Sequence, residues 1–111
     1  MTFCIRTTTQ IVMYTVKFAP TFEKWFSKLK DRVTRLRLAR RLDRAACGNL
    51  GDVKPVGNGV YEMREVFGPG WRMYYIIKGD ILIVMLCGGD KATQQADIEK
   101  AQEIAATWGD K

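Results

Sequence analysis

The residue types in this chain narrow the chemistry that it can perform. The 111 residues include no histidine, which excludes a Ser-His-Asp triad, an imidazole general base and a zinc site built with histidine. The three cysteines, Cys4, Cys47 and Cys87, are far apart in the sequence, a spacing that fits neither a disulfide framework nor a CxxC metal knuckle. We therefore expect free thiols, as in a reducing cytoplasm, and no metal or cofactor. Proton transfer must come from Lys, Tyr, Asp or Glu.

Positive charge is concentrated in one segment. The chain has 18 Lys and Arg against 12 Asp and Glu, a net charge of +6. Residues 28–44 contain eight basic and two acidic residues, so this segment carries the whole excess. Such a concentration favours a phosphate-bearing partner or an acidic protein partner. Four arginines lie on one face of the helix predicted there: Arg37, Arg40, Arg41 and Arg44. Each guanidinium can bind two phosphate oxygens; a solvated helix face is the alternative.

The length and composition indicate one globular domain. Hydrophobic residues make up 47% of the chain and charged residues 27%, an ordinary mixture for a folded protein. No apolar run approaches the roughly 18 residues that a membrane span needs, and no secretory signal is visible, so we expect a cytoplasmic protein. We expect residues 1–12 to be a tail of uncertain origin and residues 13–111 to form a single domain.

The first half of the domain predicts a strand and a helical hairpin. Residues 13–18 alternate as in a strand. Pro20 suits the first turn of a helix whose apolar face consists of Phe22, Trp25, Phe26 and Leu29. Asp31 can cap a second helix over residues 32–47. The apolar face predicted for it consists of Val33, Leu36, Ala39 and Leu42.

The second half predicts an antiparallel sheet and a last helix. Strands over residues 52–56, 60–66, 71–77 and 81–87 are separated by glycine-containing turns at 57–59, 68–70 and 78–80. Gly88 and Gly89 should end the last strand. A helix then runs from about residue 90 to 108 with one apolar stripe, Ile98, Ala101, Ala105 and Trp108. The predicted fold is α+β, with an N-terminal strand, a helical hairpin, a twisted antiparallel sheet and a C-terminal helix, all helices lying on one face.

The ordered combination of these pieces resembles the RelE/ParE superfamily of bacterial toxins, and within it the HigB-like addiction module killer group. The matching pieces are the opening strand and helical hairpin, the strand VYEMR at 60–64, the segment GWRMYY at 70–75 and the segment LCGGDKATQ at 86–94. The resemblance covers about residues 13–108. It implies a cytoplasmic toxin held inactive by a cognate antitoxin. The antitoxin is expected to be a helix-turn-helix protein, and the toxin would contact operator DNA only through it. RelE-like members cut messenger RNA in the ribosomal A site, whereas ParE-like members poison DNA gyrase.

The resemblance also assigns roles to three cations. It implies that Arg72 stabilises the phosphate, although pairing with Glu62 or Glu65 is an alternative. Arg64 occupies a basic strand position of RelE-like toxins, where it would hold phosphate, assist proton transfer or lie in solvent. Lys91 would act as the acid or as a phosphate ligand. Metal-free cleavage through the 2′-hydroxyl needs such positive charge together with a base and an acid.

Other features bear on RNA binding and on the base. Under the same resemblance, the arginine stripe would dock ribosomal RNA or an acidic antitoxin segment. Trp71 would stack a base or pack in the core, and Asp90 would orient Lys91 or cap the last helix. The chain departs from RelE-like members because no tyrosine follows Tyr75, so the general base stays unassigned.

The leading hypothesis is a ribosome-dependent endoribonuclease. The alternatives are a gyrase poison and a basic module without toxicity.

Overall fold

The computed structural model describes residues 13–79 and 81–108. The elements are β1 (Thr15–Phe18), α1 (Pro20–Ser27), α2 (Arg32–Ala46), β2 (Val53–Gly57), β3 (Val60–Arg64), β4 (Arg72–Lys78), β5 (Leu82–Gly89), a 3-10 turn (Lys91–Thr93) and α3 (Gln94–Thr107). The predicted α+β class and the order of elements are confirmed. The expected tail over residues 1–12 lies outside the described residues, as does Asp80 of the predicted turn at 78–80.

The five strands form one mixed sheet in the order β1-β5-β4-β3-β2. The pairs β2–β3, β3–β4 and β4–β5 are antiparallel, as predicted. The N-terminal strand β1, whose partner was not predicted, runs parallel to β5, so the sheet is mixed. Alternation along a strand reports which face a side chain occupies, and it carries no information about the direction of the neighbouring strand.

Helices cover both faces of the sheet. In β4, Met73 and Tyr75 belong to the core formed with α1 and α2, whereas Tyr74 and Ile76 belong to the core formed with α3. The same alternation holds over residues 83–86 of β5. The prediction that all helices lie on one face is therefore wrong. A continuous apolar strand has two faces to bury, and each face needs its own covering layer.

Helix α2 begins as predicted but buries a different face. The Asp31 carboxylate caps it, accepting hydrogen bonds from the Thr34 hydroxyl at 2.7 Å and from the Val33 amide at 3.4 Å. The Thr34 hydrogen bond lowers the pKa of Asp31 below its usual range. Val33 and Leu36, assigned to the core, are 62% and 51% exposed. The buried stripe consists of Thr34, Leu38, Arg41, Leu42 and Ala45. This stripe has helical spacing, but two of its members are polar. The hydropathy pattern therefore predicted a different face of the helix.

Strand β5 continues through the glycine pair that was expected to end it. A Cβ at Gly88 would overlap the indole of Trp25, and a Cβ at Gly89 would overlap the carboxylate of Asp97. The absence of a side chain at these two glycines therefore allows a helix side chain to approach the strand closely on each side. The last helix packs as predicted, with Ala101, Ile98, Ala105 and Trp108 in the second core.

The cysteines differ in state. Cys87 is a free, buried thiol, and burial raises its pKa to about 12. Cys47 is disulfide-bonded, so the prediction of free thiols is wrong for this residue. Whether two cysteines can form a disulfide depends on their distance and orientation in the folded protein. Their spacing in the sequence does not give that distance.

Two leucines of α2 provide a direct check of which helix face is buried. Leu38→Ala should lower the free energy of unfolding by about 2–5 kcal/mol because it leaves a cavity in the core. Leu36→Ala, the matched control on the exposed face, should change it by no more than about 0.5 kcal/mol. Urea unfolding followed by circular dichroism measures both. A larger loss in the Leu36 variant than in the Leu38 variant would contradict the packing of α2.

Candidate active site

Three predicted cations line one cleft of about 450 Å³. Arg64 ends β3, Arg72 begins β4, and Lys91 follows β5. Arg64 and Arg72 are register partners across the antiparallel pair, and Arg72 is the register partner of Gly89 on the other side. The order of the strands thus brings together side chains that are up to 27 positions apart in the sequence. The loop at 68–70 forms the remaining wall.

Arg72 is held firmly in the cleft wall. Its side chain is only 12% exposed. Its Nη1 donates hydrogen bonds to the carbonyls of Glu65 at 3.2 Å, Gly70 at 3.1 Å and Trp71 at 3.2 Å. Its Nε lies 4.0 Å from Oε1 of Glu62, so the predicted alternative of pairing with Glu62 is also realised. A guanidinium fixed in this way needs little reorganisation to meet an anion.

Arg64 and Lys91 are more accessible than Arg72. The Arg64 side chain is 39% exposed, and its Nη2 lies 3.3 Å from Oδ1 of Asp52. Lys91 is exposed on the 3-10 turn, with its stem against Gly70. Gly70 has a φ of +83°, and a Cβ there would lie 3.3 Å from the Lys91 Cβ. The glycine therefore allows the 68–70 loop to approach Lys91 closely. Like charges gathered in this way attract an anion into the cleft.

The capping role of Asp90 is realised. Its Oδ1 accepts a hydrogen bond from the amide of Ala92 at 2.9 Å. This bond fixes the start of the 3-10 turn and with it the position of the Lys91 backbone. Asp90 therefore acts on Lys91 through the backbone, and among the described residues no ion pair joins the two side chains.

Glu62, which sequence reasoning considered only as a partner of Arg72, lies fully buried behind the cleft. Its Oε2 accepts hydrogen bonds from the Tyr74 hydroxyl at 3.0 Å and from Nε2 of Gln94 at 2.8 Å. Its Oε1 and the Arg72 Nε are buried without a hydrogen bond in the described part of the chain. A buried charge is retained only when it is compensated, so Glu62 and Arg72 stabilise each other. In the sequence, a glutamate within a strand of mostly apolar residues was the feature that could have indicated this buried position.

The tyrosines of β4 are unsuited to act as a general base. Burial, together with Glu62, raises the pKa of Tyr74 far above its usual range. Burial also raises the pKa of Tyr75 to about 12. Both hydroxyls therefore stay protonated at neutral pH, and the core assignment of these tyrosines is confirmed by their burial. The carboxylates that line the cleft are Asp52, beside Arg64, and Glu65.

Arg41 is a structural residue and is not part of the exposed arginine stripe. It is 5% exposed. Its Nη1 donates to Oε2 of Glu65 at 2.5 Å and to the carbonyl of Arg64 at 2.9 Å. Its Nη2 donates to the carbonyls of Leu50 at 3.1 Å and Asp52 at 2.8 Å, and its Nε donates to Leu50 at 3.3 Å. The prediction that Arg41 contacts RNA is wrong, because its donors are used inside the protein.

The other predicted RNA-binding residues have different surroundings. Arg37, Arg40 and Arg44 are exposed on α2. The Arg37 guanidinium lies 3.8 Å from the ring centroid of Phe67, so the stripe reaches the loop between β3 and β4. Trp71 is half-buried and meets Trp25 edge-on, with ring centroids 6.1 Å apart. The packing alternative is thus realised for Trp71, with part of its surface left accessible.

The cleft can bind a phosphate through several cationic donors and stabilise charge that develops on it. Among the described residues, no cluster of three or more His, Cys, Asp or Glu side chains is arranged to hold a metal ion. In the same part of the chain, no helix combines the length and the apolar character that crossing a membrane requires.

Replacement of Arg41 should reveal its structural role. Arg41→Met removes five hydrogen bonds and leaves Glu65 without its cation, so we expect a loss of about 3–5 kcal/mol in the free energy of unfolding. Arg40→Met, the neighbouring exposed arginine, should change it by no more than about 0.5 kcal/mol. Chemical denaturation of the two variants measures the difference. Equal stabilities would show that the buried network does not stabilise the fold.

Comparison with known proteins places the chain in a family and supports the fold. The model of the phage-derived Gp49-like family (DUF891) matches residues 24–107. An uncharacterized protein of Haemophilus influenzae is 39% identical over 94 residues, which are 85% of this chain and 95% of the relative.

Two solved structures share the architecture. The RelBE2 toxin-antitoxin complex of Mycobacterium tuberculosis contains a chain with a TM-score of 0.61 at 22% identity, covering 75% of this chain and 97% of that one. A mutant of the Escherichia coli toxin RelE in the free state has a TM-score of 0.65 at 17% identity, covering 83% and 96%. The RelE-like fold that the resemblance implied is confirmed, and the chain belongs to the Gp49-like family.

Proposed function

We propose that this protein is the toxin of a toxin-antitoxin system and that it cuts messenger RNA on the ribosome, in the cytoplasm, without a metal ion. The observation that carries the proposal is the convergence of Arg64, Arg72 and Lys91 on one cleft. The solved structures that share the fold include a toxin and a toxin-antitoxin complex, which supports the same class of function. By the same reasoning the partners are a cognate antitoxin, expected to be of the helix-turn-helix type, and the translating ribosome.

The cleavage step in this proposal is an internal transfer. The 2′-oxygen forms a bond to the adjacent phosphorus while the bond from phosphorus to the 5′-oxygen breaks. The products are a 2′,3′-cyclic phosphate and a free 5′-hydroxyl. The reaction needs a proton acceptor for the 2′-hydroxyl, a proton donor for the leaving oxygen and cations for the crowded phosphate.

The residues of the cleft fit these roles. Arg72, fixed by three carbonyls, stabilises the charge on the phosphate. Arg64 holds the same phosphate from the neighbouring strand, and Lys91 donates a proton to the leaving oxygen. Asp52 is the carboxylate of the cleft with an exposed side chain, 52% accessible, and we assign it the proton from the 2′-hydroxyl. Glu65 is less suited to this role because its side chain is only 17% exposed and Arg41 holds it at 2.5 Å, closer than the 3.3 Å between Arg64 and Asp52.

The exposed arginines of α2 supply docking in the same proposal. Arg37, Arg40 and Arg44 would contact ribosomal RNA, with a strong dependence on salt concentration. An acidic antitoxin segment could occupy the same face in the inactive complex. A gyrase poison has no need of convergent cations in a cleft, so the geometry favours the nuclease over that alternative.

Cleavage should disappear when Arg72 is removed. Brief expression of the wild-type chain should produce new 5′ ends within translated codons, mapped by primer extension. Arg72→Ala should reduce these ends by about 10²-fold or more, as expected for loss of a fixed oxyanion donor. Lys91→Ala should also reduce them, and because Lys91 is exposed its truncation leaves the fold intact.

The matched control is Lys78→Ala, an exposed lysine at the far end of β4, which should cut as the wild type does. Circular dichroism of each purified variant confirms folding. Growth arrest with intact messages in the wild type would contradict the nuclease proposal and point to gyrase. Unchanged cleavage in both the Arg72 and Lys91 variants would remove these residues from the reaction.

A further inference from the structure

A second concavity lies beside the cleft, between α1 and α3. It has a volume of about 470 Å³, and its lining includes Lys24 of α1, Lys28 at the C-terminal cap of α1, Lys100 of α3, Trp25 and Gly88. None of the residues that line it is acidic. We refer to it as the lysine groove.

The lysines of the groove form no ion pair within the described part of the chain. Lys24 and Lys28 are four positions apart and therefore share one face of α1, where like charges repel. Within residues 13–79 and 81–108, no ion pair involves these two lysines or Lys100. Three ammonium groups around one concavity, with no carboxylate on its walls, form a surface that an anion would stabilise.

The lysine groove lies near the cleft, although no residue lines both. Trp25 of the groove wall contacts Trp71 edge-on at 6.1 Å, and Trp71 directly precedes Arg72. Gly88 lines the groove, and the next residue, Gly89, is the register partner of Arg72. The two concavities are therefore neighbours along β5, where Gly88 faces Trp25 and Gly89 faces Asp97. The absence of a side chain at Gly88 allows the indole of Trp25 to lie on the strand.

We infer that the lysine groove binds the sugar–phosphate backbone of the RNA strand on one side of the cleavage point, as a second subsite of the same enzyme. This inference rests on the proposed function. Lysine ammonium groups beside an aromatic wall are typical of surfaces for single-stranded nucleic acid, which follow the backbone by charge and offer rings to the bases. An acidic protein segment would match the charge alone. Proximity to the cleft favours one polyanion that occupies both concavities.

The inference is tested by how binding depends on strand length. Fluorescence anisotropy with 2′-O-methyl RNA, which cannot be cleaved through the 2′-hydroxyl, compares strands of about 4 and about 12 nucleotides. Lys24→Ala/Lys28→Ala should weaken binding of the longer strand about tenfold and leave the shorter one unchanged. It should also reduce the slope of log Kobs against log salt concentration by about 1.4, since each phosphate contact with a single strand contributes about 0.7.

The matched control is Lys54→Ala/Lys78→Ala, which removes the same charge from exposed positions outside both concavities. It should bind both strands as the wild type does. Equal weakening by the control and the groove variant would overturn the inference, because net charge alone would then explain binding. Absence of strand binding by the wild-type chain at low salt would also overturn it. The inference would also be overturned if a polyglutamate peptide, and not RNA, bound the wild type and failed to bind the groove variant.

The failure of this inference is distinguishable from failure of the proposed function. If Arg72→Ala abolishes cleavage while the groove variant binds the longer strand normally, the nuclease stands and the subsite is wrong. If Arg72→Ala leaves messages cut as before while the groove variant loses the longer strand, the lysine groove binds nucleic acid and the assignment of the cleft is wrong.

Discussion

The buried guanidinium of Arg41 is the constraint on which the rest of the site depends. It reaches from α2 beneath the sheet and donates to three carbonyls and one carboxylate. Two of these carbonyls belong to Asp52 and Arg64, which line the cleft. A charge removed from water is costly unless it is paired and hydrogen-bonded. The fold meets that demand by bringing the 50–52 loop and the end of β3 to the same guanidinium, and this places two cleft residues side by side.

A second buried charge does the same for the other half of the cleft. Glu62 is anchored by Tyr74 and Gln94 and faces the Nε of Arg72. The Nη1 of Arg72 is held by carbonyls of the loop between β3 and β4. Arg72 is thus oriented before any substrate arrives, whereas Lys91 stays exposed on a short turn. A fixed arginine beside an exposed lysine suits a reaction that stabilises charge at one atom and delivers a proton to another.

Much of this arrangement could be predicted from the sequence, and the failures have physical causes. The Asp31 cap, the glycine hairpins and the α3 stripe follow from local rules that tertiary contacts did not override. The buried face of α2 could not be predicted because Thr34 and Arg41 occupy core positions, and their burial depends on partners distant in sequence. The parallel β1–β5 pair is likewise a long-range contact. The site residues came from resemblance to a family, and only the strand register shows that Arg64 and Arg72 are neighbours.

The central claim is that this cleft cuts RNA through the 2′-hydroxyl, and the chemistry of the new ends tests it most directly. Purified protein would be added to ribosomes translating a defined message, and the fragments would be isolated. The account predicts 5′-hydroxyl ends that polynucleotide kinase labels without prior phosphatase treatment, and 2′,3′-cyclic phosphate on the upstream fragments. It also predicts that a single 2′-deoxy substitution at the cut nucleotide prevents cleavage there. Fragments with 5′-phosphate ends, or cleavage that persists at the deoxy position, would contradict the account.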